Sequence, residues 1–264
     1  MKAAILTDLT RCIGCESCVW ACKEANGLSR ADGAKQLSDT TYTTLERKGN
    51  VNVRRQCMHC EEPACVSVCP VGALQKSASG AVTYDADKCM GCRYCMIACP
   101  FGIPKYEWQS VAPKVQKCTM CSERMSKGAK EPACTSVCPT GATVFGDRDA
   151  LLREATRRIE AEPNRYVQHI FGQREAGGTS VIYLSGVPFE QLGFKTDVQM
   201  DPYPRLTWQV LSKLPNVVSV AGVGLLGVWW IIRRRDELGH KPHDHGASDH
   251  QPPLPEARGK DESK

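Results

Sequence analysis

The chain has 264 residues, 42% of them hydrophobic and 24% charged, a formal charge of +5 at pH 7, and 16 cysteines. That length allows one or two domains. Much of the positive charge lies near the C-terminus and no basic patch interleaves with aromatics, so nucleic acid is excluded as a partner. All the cysteines fall between Cys12 and Cys138, in four groups of four with none left over. Triplets two residues apart make poor disulfide partners. Zinc prefers two C-x₂-C pairs around one tetrahedral centre. The second and fourth groups alone resemble that pattern; the first and third do not.

Lys2 to Asp8 mixes apolar and polar residues and predicts a short strand. No apolar stretch or twin-arginine run precedes the first cysteine, so no cleavable signal is expected here. The first group is Cys12, Cys15, Cys18 and Cys22. Lys23 follows where the ferredoxin run has proline, which predicts a helix continuing through Cys22 towards Asn26-Gly27. Ser29 to Asn50 is polar and reads as a solvated insertion loop or a partner contact, and Val51 to Arg55 as a strand. The second group is Cys57, Cys60, Cys65 and Cys69, followed by Pro70. His59 lies between two of these cysteines. Two readings stand open for it: a hydrogen bond that tunes a cluster, or a surface or partner-facing histidine. Pro70 to Asp85 predicts a turn and a strand leading back to the third group.

The third group is Cys89, Cys92, Cys95 and Cys99, followed by Pro100. Its spacing, C-x₂-C-x₂-C-x₃-C-P, is the bacterial run for a [4Fe–4S] cluster. Three cysteines at that spacing wrap a tight loop so that three thiolates meet three corners of one cubane. The fourth sits about one helical turn later and points to another cluster. Residues 51–103 therefore read as one two-cluster ferredoxin module. The fourth group is Cys118, Cys121, Cys134 and Cys138. Pro139-Thr140-Gly141-Ala142 echoes Pro70-Val71-Gly72-Ala73, which marks the second and fourth groups as equivalent halves of a duplication. Four complete groups predict four [4Fe–4S] clusters and leave no open iron, so the chain is expected to carry electrons and catalyse nothing.

In the cysteine-free part, Asp149 is a plausible N-cap. Leu151, Leu152, Ala155 and Ile159 make one helical face ending near Pro163. Thr179 to Leu184 reads as a strand and Gly186 to Phe194 as a loop. From Val217 to Ile232 no residue is charged. Lys213 stands on one side, Arg233-Arg234-Arg235 on the other, and Trp229 and Trp230 lie beside the arginines. This predicts one transmembrane helix at the short end of the roughly 17–25 residues a span needs, with a buried core helix as the alternative. Gly222, Gly224 and Gly227 match G-x-G-x-x-G, but no preceding strand or downstream acid supports a dinucleotide site. Ala221, Gly224 and Gly227 instead form a small-residue stripe suited to helix packing. The charged tail, with His240, His243, His245 and His250, predicts disorder.

The fold class expected is α+β: duplicated two-cluster ferredoxin modules over residues 1–148, a cysteine-free docking extension over 149–205, a membrane anchor over 206–235 and a tail over 236–264. More arginines follow the span than lysines precede it. The positive-inside rule then puts the tail in the cytoplasm and the cluster domain in the periplasm of a bacterial inner membrane.

The four groups resemble the iron–sulfur subunits of membrane-bound respiratory oxidoreductases. So do Cys57-Met58-His59-Cys60, Cys69-Pro70-Val71-Gly72-Ala73-Leu74 and Gly91-Cys92-Arg93-Tyr94-Cys95-Met96. Pro104-Lys105-Tyr106, Gly177-Gly178-Thr179 and Gly186-Val187-Pro188-Phe189 extend the likeness. It covers nearly the whole chain and is similar to the HybA type found with nickel–iron hydrogenases and to the formate dehydrogenase-N beta subunit. HybA-type chains usually carry a twin-arginine signal, whereas the formate dehydrogenase subunits travel with a signal-bearing partner.

The resemblance implies crossed ligand sets. Cys12, Cys15, Cys18 and Cys138 would hold one cluster, and Cys118, Cys121, Cys134 and Cys22 another. Cys57, Cys60, Cys65 and Cys99 would hold a third, and Cys89, Cys92, Cys95 and Cys69 the fourth. It also implies a catalytic large subunit, either nickel–iron or a molybdenum or tungsten pterin enzyme, and an integral quinone-reactive or cytochrome b partner in the lipid bilayer. A soluble polyferredoxin is the rival of another class. A radical or maturation enzyme would need a three-cysteine site, which no group here provides.

Overall fold

A computed structural model describes residues 2–30 and 35–239. The tail from His240, expected to be disordered, lies outside the described residues. In chain order the elements are β1 (Ala3–Asp8), α1 (Ser17–Ala25), β2 (Thr43–Lys48), β3 (Val51–Gln56), α2 (Ala64–Ser67), β4 (Leu74–Lys76), β5 (Val82–Tyr84) and α3 (Tyr94–Ala98). There follow β6 (Lys105–Tyr106), β7 (Val115–Gln116), α4 (Ser122–Ser126), α5 (Ala133–Ser136), β8 (Thr143–Asp147), α6 (Arg148–Ala161), β9 (Val181–Leu184), α7 (Tyr203–Leu211) and α8 (Leu214–Gly239). The class is mixed α and β, as expected. Residues up to Val210 form one compact unit and those from Leu211 another.

The elements around the cysteines are short because the loops serve the thiolates rather than a continuous sheet. Three two-stranded ribbons, β2–β3, β4–β5 and β6–β7, support them. The one larger sheet has the order β8-β1-β9, with β1 antiparallel to β8 and parallel to β9. Residues 149–205, without any cysteine, thus share a sheet and a core with the N-terminal strand. Under the sheet an aromatic cluster joins Phe171, Tyr183, Phe189 and Phe194, with ring centroids 4.8 Å apart for Phe171–Phe194 and 5.1 Å for Tyr183–Phe194. Ile5, Val53, Met58 and Met120 pack on it, so this region backs the cysteine loops directly. On the other face Leu151, Ala155 and Ile159 of α6 bury against Ala4, Leu6, Ile182 and Leu184.

Two local expectations change. Thr43 to Lys48, read as solvated loop, is a strand paired in register with β3; Thr43 and Thr44 are buried because the ribbon lies against the core. The cap of α6 is Asp147 rather than Asp149: its Oδ1 accepts from the N–H groups of Asp149 (3.2 Å) and Ala150 (3.1 Å). Asp149 occupies the first turn, where its charge complements the helix dipole. The lysine that replaces proline after the first group also finds its reason. Lys23 is buried and donates to the carbonyls of Ser29 (2.7 Å) and Thr40 (2.9 Å), fastening the insertion to α1.

Asp8 closes the sheet end. It is fully buried and accepts from the Thr10 hydroxyl (2.7 Å), the Tyr166 hydroxyl (2.9 Å) and Arg158 Nη1 (3.1 Å). Asp8→Ala would take the acceptor from Arg158 Nη1 and from the Thr10 and Tyr166 hydroxyls, while Arg158 Nε keeps Glu154 at 2.8 Å, a loss of about 1–3 kcal/mol. The expected result is a lower midpoint for thermal bleaching of the protein's visible absorbance; an unchanged midpoint would show that the network contributes little.

Candidate metal centres

All 16 cysteines are described and every one is a free thiol, so the disulfide reading fails. The backbone explains how each loop turns its sulfurs inward. In the first and third groups a glycine before the second cysteine is left-handed, Gly14 at φ +77° and Gly91 at φ +70°. A side chain on Gly91 would meet the Pro113 carbonyl at 2.6 Å, so the C-x-G-C turn requires glycine. Glu16 and Arg93, each just after the second cysteine, are left-handed too. His59 and Met120 hold the same conformation in the second and fourth groups. The same pairing of groups reappears in sequence. Glu62-Pro63-Ala64-Cys65 opens α2 as Glu131-Pro132-Ala133-Cys134 opens α5, a repeat with four identical residues where the Pro-x-Gly-Ala echo has three.

The fold brings the groups together across the chain. α1, with Cys18 and Cys22, lies against α5, with Cys134; α2, with Cys65, lies against α3, with Cys95. Cys12, Cys15, Cys18 and Cys138 line one small pocket with Thr7, Leu45 and Arg54. Cys69, Cys89, Cys92 and Cys95 line another with Leu74, Tyr84 and Val115. Burial pushes the Cys22 thiol well up, and the like charges that push it further are Cys118, Cys134 and Cys121. Burial likewise raises Cys60, with Cys57, Cys99 and Cys65 adding to it. In each case the neighbours include cysteines from a different group in the sequence.

Between the sets, the same charges mark three junctions. Cys18 feels Cys134, Cys118 feels Cys57, and Cys65 feels Cys95. Burial pushes Cys118 and Cys65 up to about 12 and Cys95 up to about 11, so these thiols would stay protonated at neutral pH without a cation to replace the proton. Iron is such a cation. N–H donors are aimed at the sulfurs as well: Met120 N–H reaches Cys118 Sγ at 3.3 Å and Asn26 Nδ2 reaches Cys22 Sγ at 3.7 Å. Among the described residues no three ligands converge at the spacing of a single ion. Four thiolates around a larger cubane fit this donor set better than zinc does.

His59 is buried rather than partner-facing. Its Nδ1 accepts from the Val82 N–H at 2.9 Å, so Nε2 carries the proton and has no protein partner. Burial, with Lys117 and Lys76 nearby, pushes its pKa well down and keeps the ring neutral. Arg54 was not singled out by sequence reasoning. Its signal is a charged residue between two inward positions of a strand that faces cysteines.

Two stretches, residues 50–148 and 11–73, match 4Fe-4S dicluster domains. The hydrogenase-2 operon protein HybA of Escherichia coli O157:H7 is 34% identical, over 94% of this chain and 88% of that protein. The iron–sulfur subunit of the nitrate-inducible formate dehydrogenase of E. coli K12 is 36% identical, over 92% of this chain and 90% of that protein. A protein of Nitratidesulfovibrio vulgaris is 39% identical, over 89% of this chain and 68% of its own length.

Proposed function

This chain belongs to the four-cluster iron–sulfur subunits that include HybA and the formate dehydrogenase iron–sulfur proteins, and from that we propose a membrane-anchored relay between a catalytic subunit and a quinone-reactive one. The four cysteine sets named above are its ligand sets. Bound clusters supply one-electron redox centres within a span of roughly −700 to +450 mV set by their surroundings. The chain's part is to hold sixteen thiolates, keep the inner sets dry and fix the order of the sets. The observation that supports this reading is that cysteines of distant groups are brought together, α1 lying against α5 and α2 against α3; with Cys18 beside Cys134, Cys118 beside Cys57 and Cys65 beside Cys95, we read the four sets as a row.

Each end of the row lies under exposed apolar side chains. Ile13, 64% exposed, stands over the set that includes Cys12. Met90 lines the pocket of the set that includes Cys92, and Tyr94 and Ile97 are exposed on α3, which carries Cys95. Solvated apolar groups beside a redox centre suit a partner that docks there and excludes water. Residues 149–205 serve as the frame for that docking and hold no chemistry of their own.

α8 is 26 residues long, about 39 Å at 1.5 Å per residue, and none of it is buried. That argues against a core helix and for a span of a hydrocarbon layer about 30 Å thick. Arg233 to Arg235 then lie on the cytoplasmic side and the cluster domain on the periplasmic side of a bacterial inner membrane. Protease added to intact spheroplasts is expected to cut the cluster domain; full protection would overturn the orientation.

The catalytic partner is a nickel–iron hydrogenase on this reading. The formate dehydrogenase relative, matched over most of its length, supports a molybdenum or tungsten pterin enzyme as the second reading. Metal analysis of the complex purified anaerobically through this chain decides. Nickel in the large subunit is expected, whereas molybdenum or tungsten would replace that reading with the second.

A further inference from the structure

Arg54 lies on β3 and is 1% exposed. Its Nε donates to Thr43 Oγ1 at 3.2 Å and its Nη2 donates to Gln56 Oε1, both neutral acceptors. Its Nη1 is buried with no protein partner. No carboxylate pairs with this guanidinium among the described residues. A guanidinium does not lose its proton, and a buried charge without a counter-charge is strongly disfavoured.

Among the described residues the groups whose negative charge bears on Arg54 are cysteine sulfurs and the Tyr183 phenol, and burial keeps that phenol protonated. Arg54 lines the pocket shared by Cys12, Cys15, Cys18 and Cys138. The cysteine charges it feels most are Cys134, Cys18 and Cys118. In return its field lowers the thiols of Cys12 and Cys18 in one set and of Cys22 and Cys121 in the next, against the stronger effect of burial. Two other lysines differ from it: Lys117 is buried, and Lys76 is half-buried with Glu61 Oε1 at 3.5 Å. Lys117 Nζ donates to the carbonyls of Val82 and Cys118, and Lys76 Nζ to those of His59 and Gly80, so backbone oxygens engage both.

We propose that Arg54 is the shared counter-charge of the first two clusters in the row, with its unpaired Nη1–H directed at their sulfur, and that it raises both their reduction potentials above what the cysteines alone would set. One electron entering a cluster adds one negative charge. A fixed cation beside it stabilises the reduced form, and burial keeps water from screening the attraction. Because guanidinium does not titrate, the offset is constant across pH. The row is thereby divided: two centres near Arg54 attract electrons more strongly than they otherwise would, and the two beyond Cys57 and Cys95 are outside its reach. This inference rests on the ligand sets proposed above. Those are tested separately by the cluster count of cysteine variants, which does not depend on potentials.

The test is a potentiometric titration followed by electron paramagnetic resonance on the purified complex, comparing wild type with Arg54→Met. Two of the four midpoints are expected to fall. The reduced-to-oxidised ratio at fixed potential should drop at least tenfold, about 59 mV for a one-electron couple. The other two midpoints should stay in place, and the fall should be the same at pH 6 and pH 8. Four unchanged midpoints, or an equal fall in all four, would overturn the proposal. Should the methionine variant fail to assemble, Arg54→Lys decides, read by pulsed resonance on protein labelled with ¹⁵N-arginine. A ¹⁵N coupling present on a wild-type cluster and absent from the lysine variant with its clusters retained supports the assignment. No coupling in the wild type, or one that persists in the variant, overturns it.

Discussion

Cys118→Ala is expected to abolish electron transfer from the catalytic subunit to quinone while leaving dye-linked activity of the catalytic subunit intact. Cys118 sits where two sets meet. It is buried, its Sγ accepts from Met120 N–H at 3.3 Å, and its nearest like charges are Cys57 of the next set and Cys134 of its own. Alanine leaves a buried corner of the cubane without a ligand. The N–H that pointed at sulfur then loses its acceptor, and no other thiolate stands ready to replace it. The loss is of one inner member of the row, so both ends remain and the hop between them becomes too long. Resonance spectra should show the cluster of this set missing or converted to a three-iron form, with the terminal sets retained. Quinone reduction at the wild-type rate would mean that electrons do not pass through this set.

The second large effect concerns attachment. Removing residues from Leu214 onward is expected to convert the chain from one extracted only by detergent to one released by salt. The charge-free run Val217 to Ile232 lies wholly within α8, and its apolar side chains are exposed, for example Val220 at 74% and Leu225 at 71%. A single substitution offers a graded version. Leu225→Asp near the middle of the span should cost about 3 kcal/mol of insertion free energy. Release of the intact wild-type chain by salt alone would contradict the anchor and favour a soluble polyferredoxin.

Local spacing made the cluster loops legible because the chemistry is local. Three thiolates on one cubane need cysteines two residues apart, and Gly91 needs its φ, wherever the loop sits in the chain. α1 was foreseeable for the same reason: Lys23 in place of proline lets the helix run on to Ala25. The crossed partners were a different matter. Cys22 meeting Cys118, Cys121 and Cys134 depends on α1 lying against α5, a contact no neighbouring residue announces; resemblance implied it and the fold arranges it. The β8-β1-β9 sheet was hidden likewise, since its partners lie far apart in sequence and its strands are short. β2 was missed because Thr43-Thr44-Leu45-Glu46-Arg47-Lys48 has a weak alternation in a polar stretch, and it becomes a strand by pairing with β3. Arg54 escaped for a chemical reason. A buried arginine has meaning only when its counter-charges are known, and they come from two distant groups.

The most direct test of the account counts and orders the clusters. The purified complex, reduced stepwise without oxygen, should show four [4Fe–4S] signals assignable to this chain. Magnetic coupling should join only neighbours in the row: the Cys12 set with the Cys118 set, that one with the Cys57 set, and that one with the Cys89 set. Fewer than four such clusters in the wild type, zinc in place of one, or coupling between the two terminal sets would contradict a linear four-cluster relay.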